Sequence, residues 1–499
     1  MKSFIENKYI FISLFVVSVL WIIFNLIILT RSPTVWMDEV AYSDPAVNLY
    51  LFGNFFSSAW RSIPPDKFWS GNVPGYQFLL YLWFSFTGFS LETTRLFPLI
   101  ITLFSGLFFT YSLNEAKLIK SKVILVGFFI TFLYSGSVSY AYKQVRPDII
   151  CILLLALLFR VMTLKVNNSN DIPPQKKILF IAGCITPLFG LQFLPFFTLL
   201  FLCNYFLFGK VKDIYFGLFY ITGALVGLFL LVVLYYANGS LEYFIASITP
   251  HVKILNSQVI SEDIFNINSP SSWLELFSKD IGSIILLSMI LTVYTIRKYT
   301  YQHVAVEKKL LTAALLVFIF IPFGMAGLGM YRPYYTFMVG IPLIIIAAIY
   351  IDLLILTSAP HKLIRLASLF FLIILLTGFP ARFILSINEW EERDYSIVTR
   401  FVLKNVNETD IAFINWQAYY PAKIKAKKIL FHYDISNHSD ISKVSVLIVE
   451  KDFFKKNSAF NESQWIEIDS LGLLRPQNKK YYFISVANKY ELTAYRRRF

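Results

Sequence analysis

Charge is what this chain has least of. Asp, Glu, Lys and Arg make up 15% of its 499 residues, against about 25% in soluble globular proteins. So little charge excludes a soluble globular fold. Cysteine is scarce as well: Cys151, Cys184 and Cys203 are the only three, all inside apolar runs and without CxxC or Cys/His spacing. That argues against a disulfide frame and against a thiolate metal site. The chain has no Gly-rich phosphate loop and no DxD motif, so nothing calls for a nucleotide-sugar site. The net charge of +14 is spread over short clusters between apolar runs. It forms no basic stripe, which argues against nucleic acid as a partner.

What the chain has instead is apolar sequence, 57% hydrophobic and 18% aromatic. Runs of a length that crosses a bilayer, roughly 17 to 25 residues, predict about eleven spans. They fall near 9–30, 95–113, 123–141, 148–164, 178–190, 191–208, 214–236, 281–296, 310–328, 335–356 and 366–386, with the cut around Gly190. The first run lacks a small-residue cleavage site and reads as a retained anchor. Tyr76–Phe89 is short for a span. Read as an interfacial helix, it leaves the Lys-rich connections around Lys117, Lys176, Lys210, Lys298 and Lys362 on one side, together with Lys2 and Lys8, as the positive-inside rule requires.

The opposite, non-cytoplasmic face then collects the long segment 31–94, the turn YKQVRPD (142–148), the loop 237–280, the turn GMYRPYY and everything after Ser386. From Asn388 the composition turns polar, with the short β-rich runs IAFINW, KILFHY, SVLIVE and YYFISV. The expectation is an α-helical polytopic membrane module over 1–387, with 31–94 as its first external loop, and a small extracytoplasmic α/β domain over 388–499 packed against it.

Three acids, Asp38, Glu39 and Asp44, follow the first span directly in RSPTVWMDEVAYSDPAVNLY. A carboxylate at the membrane boundary beside Trp36 is placed to act as a general base toward a group arriving from the aqueous side. The same stretch reads as an amphipathic helix, so capping by Asp38 is a competing reading, and Asp44 reads as a solvated helix residue. Arg146-Pro147-Asp148 opens the fourth span. Pro147 and Asp148 suit a helix start, but Arg146 breaks the charge bias and suits a phosphate or the neighbouring acid. Arg332 breaks it again in MYRPYYTF, among tyrosines that an aromatic belt would also explain. His251, in SITPHVKIL, is either structural or a metal ligand, and Arg95, in LETTRLFPL, is either a snorkelling interfacial arginine or a phosphate contact.

The order of these features resembles the GT-C glycosyltransferases, and within them the family-39 group of protein O-mannosyltransferases and lipid A aminoarabinose transferases. The resemblance implies transfer of a sugar, with inversion, from a polyprenyl-phosphate donor to a lipid, glycan or protein acceptor on the outer face of the membrane. By it Asp38 is the general base, Glu39 its partner and Asp148 a second acid of the same cavity. Arg95, Arg146, Arg332 and Tyr335 fall near the donor phosphate, and His251 where some members hold a metal. Those members carry Glu-Lys-Pro before the interfacial helix, whereas this chain reads WSGNVPGYQF, with Gly71 and Asn72 at those places and only Asp66 or Lys67 nearby to substitute. The expectation is therefore an enzyme that needs no cofactor, with a divalent metal as an option. The high Lys, Asn and Ile content points to a bacterial inner membrane. A lipid-linked glycan flippase and an oligosaccharide polymerase or ligase are the alternatives; near-absence of charge inside the spans disfavours the first.

Overall fold

Every apolar run expected to span is helical. The computed structural model describes residues 2–60, 63–64, 67–163, 172–208, 211–253, 281–300, 305–327, 335–357, 359–431, 441–456, 460–472 and 490–498. The chain begins with α1 (Lys2–Ile27), α2 (Met37–Phe52), α3 (Gly75–Thr87) and α4 (Leu91–Glu115). α5 (Lys122–Tyr134), α6 (Gly136–Lys143), α7 (Asp148–Thr163), α8 (Ile172–Phe189), α9 (Phe193–Phe208), α10 (Val211–Ala237) and α11 (Leu241–Lys253) follow. α12 (Ile281–Thr300), α13 (Ala305–Gly327), α14 (Phe337–Leu356), α15 (His361–Thr377) and α16 (Phe379–Asn388) complete the apolar part.

Among the described residues, seven helices are long and apolar enough to cross a membrane, or eight if α5 and α6, bent by 46°, form one broken span. The chain is a multi-pass integral membrane protein. The remaining expected spans are the shorter helices α7 and α9, of 16 residues each, and α8, of 18. α8 stops at Gly190, over which the Phe193 ring folds. α3 has 13 residues, about 20 Å at 1.5 Å per residue, too short to cross and long enough to lie along the interface.

One helix pair is packed backbone to backbone, and glycine is the cause. A Cβ on Gly223 would lie 2.0 Å from the Phe180 carbonyl oxygen, one on Gly227 2.2 Å from that of Cys184, and one on Gly183 2.1 Å from that of Tyr220. Gly223 and Gly227 form a GxxxG stripe on α10 that lets α8 approach as only small residues allow.

After α17 (Tyr395–Asn405) the chain builds a five-stranded sheet. Its elements are β1 (Ile411–Ile414), α18 (Tyr419–Lys425), β2 (Lys428–Phe431), β3 (Val446–Val449), β4 (Trp465–Leu471) and β5 (Leu492–Arg497). The spatial order is β2-β1-β3-β5-β4, with β1 parallel to β2 and β3, and β5 antiparallel to β3 and β4. Three of the four β-rich runs are thus strands, and the fourth, YYFISV, lies outside the described residues. The parallel strands are apolar because both faces are covered. One cover is the first external segment itself: Val35, Val40, Ala59 and Leu91 share a core with Val398, Val402, Tyr419, Tyr420 and Ile448.

Gly223→Leu is expected to lower the melting temperature of the detergent-solubilised protein, at an overpacking cost of about 1–3 kcal/mol. Gly127→Leu, where an added Cβ meets nothing within 4 Å, should leave it unchanged; equal effects would contradict the close α8–α10 contact.

A sorted row of acids as candidate active site

α2 carries all three acids of the opening stretch. Trp36 enters it extended, and Gly53, with φ +70°, ends it by donating its N–H to the Leu49 carbonyl. Left-handed backbone there favours glycine. Residues Glu39 to Asn48 are continuously buried, so their polar side chains must find partners inside the protein.

Glu39 finds Arg95. The guanidinium donates from Nε and Nη2 to the two carboxylate oxygens at 2.8 Å each, and from Nη1 to the Leu29 carbonyl at 2.8 Å. The Tyr420 hydroxyl donates to Glu39 Oε1 at 3.1 Å. The Glu39 side chain is 0% exposed and that of Arg95 3%. Successive helix residues point about 100° apart, which is why Glu39 turns to α4 while its neighbour Asp38 turns elsewhere.

Asp44 is not the solvated residue its sequence setting suggests; its side chain is 0% exposed. Its Oδ2 accepts from Ser57 Oγ at 2.8 Å, Asn48 Nδ2 at 3.1 Å and the Ser58 amide at 3.1 Å. Its Oδ1 accepts from the Tyr419 hydroxyl at 2.8 Å and Lys423 Nζ at 2.9 Å. The sheet unit covers the acid and supplies its cation. Burial and the Asp44 charge push the Tyr419 hydroxyl well above the usual phenol range, so it stays protonated and donates.

Asp38 alone keeps contact with solvent, its side chain 19% exposed. It bonds to Arg146 Nη1, and Arg146 Nε donates to Asp148 Oδ2 at 2.7 Å. The guanidinium also stacks over Tyr42, its Cζ 5.3 Å from the ring centre, so one fork holds both acids in register. Asp148 is 1% exposed, and its Oδ1 has no hydrogen-bond partner among the described residues. The fold therefore brings Asp38, Arg146 and Asp148 together, and Asp38 spends its carboxylate on this bridge and not on a helix cap.

Other candidates fall differently. Tyr335 is buried at 8% exposure. Arg332 and the side chain of His251 lie outside the described residues. Three neighbours escaped sequence reasoning. Tyr42 accepts a hydrogen bond from Asn72 at 3.1 Å. Asn72 is thereby tied to the site, while Gly71 lies under the Trp60 indole, where a Cβ would be 2.0 Å from Nε1. Lys143 is 5% exposed, with an ammonium lacking a hydrogen-bond partner among the described residues. It lines a small cleft with Arg95, Ser32 and Tyr142. The signal was present in the turn YKQVRPD, where a second cation precedes Arg146.

Among the described residues no three His, Cys, Asp or Glu side chains are placed to hold an ion. The two carboxylates closest to that role, Asp38 and Asp148, are bridged by a guanidinium instead.

No family model matches the chain, and no curated protein matches it in sequence. Solved structures of Archaeoglobus fulgidus oligosaccharyltransferase are similar to it. The crystal structure of its complex with zinc and sulfate does so at 12% identity and a TM-score of 0.47, covering 88% of this chain and 68% of that one. Its apo form does so at 12% and 0.49, covering 90% and 70%. The enzyme, AglB, in complex with an inhibitory peptide and a dolichol-phosphate does so at 12% and 0.47, covering 90% and 70%.

Removing one partner of a buried pair leaves the other charge uncompensated, at roughly 3–5 kcal/mol. Lys423→Met is therefore expected to destabilise the protein by that order, and Lys423→Met with Asp44→Asn by less, as read from detergent melting curves. A double variant no better than the single one would contradict the pairing.

Proposed function

We propose that this chain is a membrane glycosyltransferase that moves a sugar from a polyprenyl-phosphate donor to a lipid, glycan or protein acceptor on the non-cytoplasmic face, with Asp38 as general base. The observation that carries the reading is the sorting of the α2 acids. Glu39 and Asp44 are buried and neutralised, whereas Asp38 keeps an exposed edge and is held by Arg146 at the end of the first span. The resemblance of the MDE stretch, Arg146-Pro147-Asp148 and the turn around Arg332 to the GT-C glycosyltransferases supports it. So does the division into a membrane module over 1–387 and a docked unit over 388–499.

Asp38 takes the proton of the acceptor hydroxyl as its oxygen attacks the anomeric carbon. The bond from that carbon to the phosphate oxygen breaks, and the phosphate leaves with the electron pair. With the acceptor oxygen attacking from the side opposite the leaving phosphate, the anomeric carbon inverts. A leaving group that is already a phosphate asks of the protein mainly positioning and steadying of charge. Arg146 and Asp148 position Asp38; Lys143 is the cation we assign to the donor phosphate, with Arg332 and Tyr335 further along the same face. The Arg95–Glu39 pair is a positioning pair that fixes α2 against α4. On this reading the enzyme belongs to a bacterial inner membrane, with its site facing outward.

The flippase reading is weaker because the acids and bases gather where α2, α4, α6 and α7 begin or end rather than at mid-span. Within α14, Asp352 accepts from the Lys120 and Ser121 amides at 2.9 and 2.8 Å. It caps the start of α5.

Asp38→Asn should insert and melt like the unaltered protein yet transfer sugar from a polyprenyl-phosphate donor about 10²–10⁴-fold more slowly; unchanged transfer would sink the assignment. Since Arg146 already fills the place between the carboxylates, transfer is expected to survive treatment with a divalent-metal chelator. Loss of activity restored by added metal would overturn that.

A further inference from the structure

A second cleft lies away from Asp38. It holds about 740 Å³ and opens where the end of α2 and the loop after it meet α18 and β2. Four lysines line it, Lys67, Lys423, Lys427 and Lys428, and among the described residues no carboxylate does. Lys423 is committed, its buried ammonium donating to Asp44 at 2.9 Å and to Asn48 at 2.5 Å, but Lys67 and Lys427 are exposed and make no ion pair among the described residues. Phe52 is 54% exposed, its ring stacked on Phe56 and its centre 5.7 Å from Lys423 Nζ. Asn54 beside it is exposed and makes no side-chain hydrogen bond among the described residues. None of the spanning helices contributes a residue to the lining.

An exposed aromatic side chain, an amide and two ammonium groups, those of Lys67 and Lys427, that make no ion pair among the described residues are groups that recognise a sugar bearing negative charge. The ring packs on the sugar's C–H face, the amide takes hydroxyls, and the lysines take phosphate, sulfate or carboxylate. A bilayer lipid is disfavoured, since its tails need a groove on the spans. Asn48, in the wall of the cleft, lies ten positions beyond Asp38 on α2, about 15 Å at the helical rise. An acceptor touching both places must be extended over several sugar units.

We propose that this cleft is an acceptor subsite for an anionic glycan, holding the chain several units from the hydroxyl that Asp38 deprotonates. The inference rests on the transferase reading for its role but not for its binding. The probes are a sulfated hexasaccharide, its desulfated counterpart and phosphatidylglycerol vesicles, added to the full-length protein in neutral nanodiscs. The sulfated probe is expected to bind, with affinity at least tenfold weaker for Lys67→Glu/Lys427→Glu and unchanged for Asp38→Asn. Both variants are to melt like the unaltered protein. The desulfated probe should bind at least tenfold more weakly, and the vesicles should not compete. Equal binding by the double-lysine variant, or competition by the vesicles, overturns the proposal while leaving the transferase reading intact. Normal sugar transfer by Asp38→Asn overturns the transferase reading whatever the binding shows.

Discussion

Two carboxylates buried on α2 need a countercharge that distant parts of the chain supply, Arg95 for Glu39 and Lys423 for Asp44, and the rest of the site is arranged around meeting that need. An unpaired buried carboxylate costs several kcal/mol. Glu39 is answered by Arg95 from α4, and Asp44 by Tyr419 and Lys423 from α18, 375 and 379 residues away in the chain. Each answer fixes one side of α2. The helix is thereby clamped between a membrane-crossing helix and the C-terminal sheet unit, and Asp38, at its start, inherits the resulting position.

The clamp also explains why the sheet unit does not hang free. Its core is continuous with Val35, Val40 and Leu91, and the Tyr490 hydroxyl accepts from the Val35 amide at 3.3 Å. Undocking the unit would expose this apolar surface and strip two buried acids of donors together. A rigid frame of this kind suits the proposed task of aligning a lipid phosphate, a sugar and an acceptor, because alignment supplies much of the rate.

Much of the fold was legible in the sequence, since spans are written in long apolar runs. The break at Gly190, the short interfacial helix and three of the strands all follow from local pattern. The grouping of Asp38, Arg146 and Asp148 was half legible: charge bias put them on one face, and only the fold joined them through a single guanidinium. The partners of Glu39 and Asp44 were not legible. Asp44 sits in a polar stretch that looks solvated, and nothing local announces that Tyr419 and Lys423 will cover it. The α8–α10 contact was missed for a different reason, that glycines within an apolar run change neither its length nor its hydropathy. The Lys-lined cleft is formed by two segments distant in sequence, neither unusual alone.

The central claim is that three acids on one helix have three different fates, with Asp38 alone available for chemistry. Carboxyl labelling of the folded protein with a carbodiimide and a small amine, read by fragmentation of the peptide spanning α2, tests this without knowledge of the substrate. The account predicts modification at Asp38 and protection of Glu39 and Asp44 until the protein is denatured, when all three label. Labelling of Glu39 or Asp44 as fast as Asp38 in the folded protein would contradict it.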